Sequence, residues 1–187
     1  MTLSSPIYQL KRRAKSMARQ NRIPLSQALD TVAQSEGFAT WSLLVSKQVK
    51  SLGSDFLSQV EFGQLALIAA RAGHGKTLVG CEALLEARRK GAEAVFFTLE
   101  MTREEAQQGL SARGSTDLAK SVAGETSDDI DAEFIIAALK SVSPGAVVVV
   151  DYLQRLDERR DKRLLSQQLD MLQSFAREKG IAIIFIA

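Results

Sequence analysis

A glycine-rich stretch that ends in Gly75-Lys76-Thr77 has the residue types and spacing to bind a phosphate group. It follows the apolar run Leu65 to Ala69, which predicts a buried strand, and it precedes a segment with helical periodicity. In a strand–loop–helix unit of this kind, small residues let successive backbone N–H groups point at a phosphate, and the helix N-terminus adds its positive dipole. We therefore expect Lys76 to contact the β- and γ-phosphates of a nucleotide and the Thr77 hydroxyl to bind Mg²⁺.

The phosphate-binding pattern Gly-x-x-x-x-Gly-Lys-Ser/Thr is matched with one departure, because position 70 is Ala. His74, the one histidine of the chain, is more simply interpreted as a spacer between glycines than as a catalytic group. A chance Gly-Lys-Thr at the start of a helix is the alternative to a phosphate site. The predicted nucleotide-binding residues are Ala70, Arg71, Ala72, Gly73, His74, Gly75, Lys76, Thr77 and Leu78.

Two carboxylates follow apolar runs further along the chain. Asp151 directly follows Val147 to Val150, and its carboxylate is suited to hold Mg²⁺, mostly through water. Glu100 comes just after Ala94 to Thr98 and is the candidate base that orients and deprotonates an attacking water. Tyr152 occupies the position where one large branch of ATPases has this base. The alternative for Glu100 is a helix-entry residue, since acidic residues are favoured near helix N-termini.

Strands and helices are predicted to alternate through the second part of the chain. Such βαβ units form a parallel sheet with helices on both faces, and ligands bind at the carboxyl ends of its strands. Lys76, Thr77, Glu100 and Asp151 all lie at those predicted ends. Residues 114–127 are predicted to form a loop, and Asp128 or Asp129 to cap the following helix. The predicted strands are Leu65–Ala69, Ala94–Thr98, Ala146–Val150 and Ile181–Ala187.

Composition places the chain among ordinary globular proteins. Its 187 residues are 45% hydrophobic and 25% charged, which suits one domain with a small appendage. The single cysteine, Cys81, excludes a disulfide framework and is compatible with a reducing cytosol. Neither a transmembrane run nor a signal peptide is visible, so we expect a cytoplasmic protein that does not associate with membranes.

Residues 1–50 are basic and are predicted to form a module of three short helices. They contain eight basic residues against Asp30 and Glu36, whereas the rest of the chain has more acidic than basic residues. This asymmetry suggests contact with nucleic acid or another acidic surface. A DNA-binding module and a solvated basic helix on a protein-interaction module are both compatible with it. Residues 51–62 are predicted to be a linker with a short lead-in segment, and residues 63–187 to be the nucleotide-binding core.

Three phrases resemble the ATPase motifs of DnaB-type replicative helicases and, more loosely, of KaiC-type and RecA-type ATPases. They are residues 63–77, Phe97-Thr-Leu-Glu-Met-Thr-Arg-Glu-Glu and Val149-Val-Asp-Tyr-Leu-Gln154. The resemblance implies an α/β, RecA-like P-loop three-layer sandwich with a mainly parallel sheet. It also implies that the protein binds ATP together with Mg²⁺. The implied assembly is a homo-oligomer, such as a hexameric ring that has single-stranded DNA in its channel. It assigns phosphate contact to Lys76, metal contact to Thr77 and Asp151, and the base role to Glu100. Gln154 and Arg71 match further motif positions.

A charged loop, Arg155 to Arg163, occupies the place where RecA relatives have their first DNA loop. It contains both basic and acidic residues, so a solvated loop is as good an interpretation as a DNA contact. The candidate DNA contacts are Arg159, Arg160, Lys162 and Arg163.

The sequence ends within what would be the fourth strand of the family. The resemblance places a polar sensor, a DNA-contacting loop and an arginine finger beyond that point. We therefore expect the 187-residue form to bind ATP but to hydrolyse it poorly, because an arginine finger contributes roughly 10³–10⁵ in rate. Two other functions remain open: a KaiC-like regulatory ATPase that acts through protein partners, and a DNA- or protein-binding module with a nucleotide switch.

Overall fold

The structure is a computed structural model that describes residues 3–71, 73–98, 102–112, 123–125, 131–151, 153 and 164–187. Its Cα positions divide into two compact units, one up to Ser51 and the other from Leu52 onward. None of the helices within the described ranges combines the length and apolar character that crossing a lipid bilayer requires.

The first unit contains three helices around a small apolar core. Helix α1 is Ile7–Asn21, α2 is Leu25–Ser35, and α3 is Trp41–Gln59, which continues into the second unit. The Asp30 carboxylate accepts a hydrogen bond from the Trp41 backbone N–H at 2.8 Å and so caps the start of α3. The buried core residues are Leu10, Ala14, Ala28, Val32, Ala33, Phe38 and Leu44.

Helix α3 extends through residues 51–59, which the sequence assigned to a linker. Leu52-Gly53-Ser54 does not break the helix. A Cβ at Gly53 would lie 2.5 Å from the Glu82 Cβ, so the glycine allows two segments of the second unit to pack closely. Phe56 and Leu57 pack against the core of that unit. Close packing therefore explains the glycine better than a flexible connection does.

In the part of the chain that the structure describes, the second unit is an α/β structure with a five-stranded, all-parallel sheet of order β1-β5-β4-β2-β3. The predicted parallel sheet is thus confirmed. Its strands are β1 Leu65–Ile68, β2 Ala94–Thr98, β3 Ala123–Glu125, β4 Val147–Asp151 and β5 Ala182–Ile186, and its described helices are α4 Lys76–Arg89, α5 Arg103–Ser111, α6 Ala132–Ala138 and α7 Leu165–Lys179.

Helices cover both faces of this sheet. Successive side chains of a strand point to opposite faces, so the apolar runs of β2, β4 and β5 supply two cores. Phe97, Val148 and Ile183 belong to the core under α6 and α7, whereas Phe96, Val149 and Ile184 belong to the core under α4 and α5. The result is three layers, with the sheet in the middle.

Two local predictions differ from the structure. Residues 114–127 were expected to be a loop, but 123–125 form β3, which pairs in parallel with β2 at Val95 to Phe97. Helix α6 begins at Ala132, and its cap is Asp131, whose carboxylate accepts from the Phe134 N–H at 2.8 Å. The predicted caps at 128 and 129 lie outside the described residues.

Candidate functional site

The glycine-rich loop connects β1 to α4 and is tied to the neighbouring strand. The Ala187 N–H donates to the Ile68 carbonyl at 3.0 Å, and the Ala70 N–H donates to the Ala187 carbonyl at 3.3 Å. Within the loop, the His74 N–H donates to the Arg71 carbonyl at 3.2 Å and closes a turn. Arg71 and His74 are both exposed. These hydrogen bonds fix where the loop leaves the sheet and where it turns towards α4.

Two glycines of the loop adopt backbone conformations that other residues avoid. Gly73 has a φ of 75° and Gly75, the N-cap of α4, has a φ of 81°. Only glycine enters this left-handed region without steric cost. Among the described residues other than its chain neighbours, no atom lies within 4 Å of a Cβ built at Gly73, so the requirement there is conformational. At Gly75 the nearest such atom belongs to Leu78, at 3.6 Å, which places that side chain against the turn.

Lys76 is the first residue of α4, and its ammonium group stays at the loop. Its Nζ donates to the Ala70 carbonyl at 2.7 Å. The positive charge therefore lies beside the N-terminus of a 14-residue helix, where backbone N–H groups and the helix dipole already favour an anion.

Thr77 and Asp151 form the contact that joins the loop–helix segment to the sheet. The Thr77 Oγ1 donates to the Asp151 Oδ2 at 2.8 Å, although 74 positions separate the two residues. Asp151 ends β4 and is only 3% exposed. A hydroxyl beside a buried carboxylate offers the hard oxygen ligands that Mg²⁺ prefers.

The close approach of α4 to the sheet makes this contact possible. Gly80 lies one turn after Thr77, and a Cβ there would be 2.9 Å from the Ile186 Cδ1 and 3.2 Å from the Val149 Cγ1. The helix therefore rests directly on β4 and β5. The sequence interpretation did not single out Gly80, and its signal would have been a glycine inside an otherwise regular helix.

The end of β2 lies beside the end of β4. In the register of these strands Thr98 is opposite Asp151, and Thr98 is 1% exposed. Thr98 is a buried polar residue at the site edge that sequence reasoning missed, because a threonine in an apolar run is typical of any strand.

The residues brought together at this edge of the sheet include Ala70, Gly73, Gly75, Lys76, Thr77 and Asp151. Several other predicted site residues lie outside the described residues: Ala72, Glu100, Gln154, Arg159, Arg160, Lys162 and Arg163.

A Mg²⁺–nucleotide complex fits the chemistry of these side chains. Within the described part of the chain, no cluster of three or more His, Cys, Asp and Glu residues could enclose a metal ion. Mg²⁺ does not need such a cage, because it usually keeps several waters and binds one or two carboxylates together with substrate phosphates. Thr77 and Asp151 would hold the ion, and the helix N-terminus would hold the phosphates of the nucleotide.

Comparison with protein-family models and with curated proteins finds no match to this chain.

Proposed function

We propose that this chain is a RecA-like P-loop ATPase that binds ATP with Mg²⁺. The proposal rests above all on the 2.8 Å contact between the Thr77 hydroxyl and the Asp151 carboxylate, directly after a loop with two left-handed glycines and a lysine. A threonine, a lysine and a buried carboxylate converge at the carboxyl edge of a parallel sheet, which is where such sheets bind ligands.

The roles of the individual residues follow from their chemistry. The backbone N–H groups of the loop and the Lys76 ammonium bind the phosphates, and Thr77 and Asp151 hold the metal. When bound, Mg²⁺ neutralises negative charge on the phosphate oxygens. Glu100, two residues beyond the end of β2, is the proposed base, because the pairing of Thr98 with Asp151 brings the two strand ends together.

Thermal unfolding of the full chain with and without MgATP tests nucleotide binding. A ligand that binds only the folded state stabilises it by about 2.7 kcal/mol at a concentration of 100 times its Kd. We expect MgATP to raise the melting temperature of the wild type, and we expect Asp151→Asn to lose the part of this shift that depends on Mg²⁺. An identical shift with Mg²⁺ and with EDTA would contradict the metal role.

We further propose that the ATPase belongs with DnaB-type helicases and acts on single-stranded DNA as a homo-oligomer. A hexameric ring is the implied form, and the cytoplasm is the proposed location. The support is the resemblance of the three motif phrases together with the basic residues at positions 1–50. A KaiC-like regulatory ATPase is the rival. Measuring ATP hydrolysis by the full-length protein with and without single-stranded DNA separates the two, since the helicase proposal expects stimulation and the KaiC-like one expects none.

A further inference from the structure

Helix α1 carries a stripe of basic side chains on its exposed side. Lys11, Lys15 and Arg19 are spaced by four residues, which places them one above the other on one helix face. Arg12 lies beside this row, and Arg22 follows at the C-cap of the helix. All five are exposed. We refer to these five residues as the basic stripe.

The basic stripe has no acidic partner in its own unit. Residues 1–50 contain two acidic side chains, and both are engaged elsewhere: Asp30 with the Trp41 backbone, and Glu36 with the backbone and hydroxyl of Ser4. The Ser4 hydrogen bonds, with a smaller contribution from Arg13, hold the pKa of Glu36 below its ordinary value. Among the described residues, the ion pairs all lie within α4 and its C-cap, and none involves the stripe.

The length of the basic stripe suits a polyanion with regularly spaced charges. Lys11 and Arg19 are eight residues apart, so their Cα atoms are separated by about 12 Å along the helix axis. One strand of a nucleic acid duplex advances about 3.4 Å per phosphate. The row therefore spans roughly three to four phosphates.

Burial of the opposite face of α1 argues against a membrane as the partner. Helices that lie on membranes insert an apolar face into the lipid. The apolar face of α1 includes Leu10 and Ala14, which are 1% and 0% exposed because they pack against α2 and α3 in the core of the unit. Only the charged side of α1 is free to meet a partner, and that partner must be recognised by charge.

We propose that the basic stripe of α1 binds the sugar–phosphate backbone of nucleic acid without reading its base sequence. The inference deepens the proposed action on single-stranded DNA and rests on it in that respect, but it does not require the nucleotide site, because the unit that contains α1 has none of that site's residues. It predicts binding in the absence of ATP. Tyr8, which is 63% exposed and lies one turn before Lys11 and Arg12, offers a ring on which an unpaired base can stack. We therefore expect single strands to bind more tightly than duplexes.

The test compares two triple variants of the full chain that remove the same charge from the same unit. Lys11→Gln, Lys15→Gln and Arg19→Gln neutralise the stripe, whereas the control neutralises Arg13, Lys47 and Lys50 in the same way. Binding to fluorescein-labelled single-stranded and duplex 30-mers is measured by anisotropy over a range of salt concentrations without nucleotide. Glutamine is a good helix former, and circular dichroism verifies that both variants remain folded.

We expect the stripe variant to bind the single strand about tenfold more weakly or worse, and its slope of log K against log salt to be shallower by about 2. The control should change affinity much less. Should the stripe variant unfold, Lys15→Gln alone should reduce the slope by about 0.7. The stripe variant should keep the wild-type shift of melting temperature with MgATP, which separates the inference from the nucleotide site.

Equal weakening by the two triple variants would overturn the proposal, since it would reduce the effect to net charge. An unchanged affinity in the stripe variant would overturn it as well. Binding to vesicles that contain phosphatidylserine is measured as well. If this binding depends on the basic stripe and neither oligonucleotide binds, the surface is assigned to membranes instead.

Discussion

At the scale of single residues, the candidate site depends on a hydroxyl and a carboxylate that come from distant parts of the chain. The Thr77 Oγ1 donates to the Asp151 Oδ2 at 2.8 Å, and the carboxylate is almost fully buried. A hydrogen bond to a buried charged group is costly to lose, because water cannot replace the missing donor. The same two oxygens are the proposed metal ligands. This contact therefore links the stability of the unit to its proposed function.

Substitutions at Thr77 separate these two effects. Thr77→Val removes the hydroxyl and should lower the free energy of unfolding by about 1–3 kcal/mol, because Asp151 loses one donor. It should also weaken the Mg²⁺-dependent part of ATP binding. Thr77→Ser keeps the Oγ and should retain most of both properties. Urea denaturation and nucleotide titration provide the measurements, and equal behaviour of Val and Ser would show that the hydroxyl has no role.

At the scale of elements, the site depends on how closely α4 lies on the sheet. The contact is made at Gly80, where side chains of β4 and β5 fill the space that a Cβ would need. Protein interiors are close-packed, so even one added methyl group must displace a neighbour. A shift of α4 would also move Thr77 away from Asp151. The glycine thus connects helix packing to site geometry.

Two glycine-to-alanine substitutions test this packing. Gly80→Ala should lower the free energy of unfolding by about 1–3 kcal/mol and weaken ATP binding. Gly109 lies inside α5, and no atom of the described residues, apart from its chain neighbours and the backbone of its own helix, lies within 4 Å of a Cβ built there, so Gly109→Ala should be neutral or stabilising by up to about 1 kcal/mol. Thermal or chemical denaturation of both variants gives the comparison. A Gly80→Ala protein as stable as the wild type would show that α4 does not depend on this close approach.

The contact between Glu93 and Ser143 makes the stability of the protein depend on pH. Glu93 precedes β2, and the hydroxyl and backbone N–H of Ser143 donate to its carboxylate at 2.8 and 3.1 Å. These hydrogen bonds lower the pKa of Glu93. A carboxyl with a lowered pKa in the folded state stabilises the protein above its unfolded-state pKa, and this stabilisation is lost as the pH falls through the folded-state value.

The stability difference between wild type and Glu93→Gln should therefore shrink as the pH is lowered from about 6 to about 3. The effect will be small because the carboxylate is exposed. Urea denaturation across this pH range measures it. ATP affinity should not change, since Glu93 lies at the amino-terminal end of the strands, whereas Asp151 lies at their carboxyl end. A stability difference that is constant with pH would contradict a lowered pKa of Glu93 in the folded protein.

At the scale of the whole molecule, the chain divides into a basic helical unit and an α/β unit. The long apolar runs made β2, β4 and β5 predictable, because strands buried on both faces need nearly continuous apolar sequence. The positions of Lys76 and Thr77 at a helix start and of Asp151 at a strand end were predictable as well, because a glycine-rich turn and an apolar run directly precede them. These residues could be assigned without knowledge of any distant contact.

The features that the sequence interpretation missed depend on contacts between distant residues. Gly53 looked like part of a linker because its packing against Glu82 is invisible in the local sequence. Strand β3 has only three residues, Ala123 to Glu125, and it pairs with β2 despite a glycine in its middle. Gly80 stands out in the sequence only as a glycine inside a helix, and the reason for it becomes clear once the strands beneath it are known. Local propensity cannot reveal such positions, because tertiary packing determines them.

Calorimetric titration of MgATP into the wild type and Lys76→Ala measures whether the glycine-rich loop binds a nucleotide. Lys90→Ala is the matched control, since Lys90 is the C-cap at the opposite end of the same helix. We expect saturable binding by the wild type and the control, weaker binding when EDTA removes the metal, and no detectable binding by Lys76→Ala. Wild-type protein that binds no ATP, or a Lys76→Ala protein that binds it equally well, would contradict nucleotide binding at the glycine-rich loop.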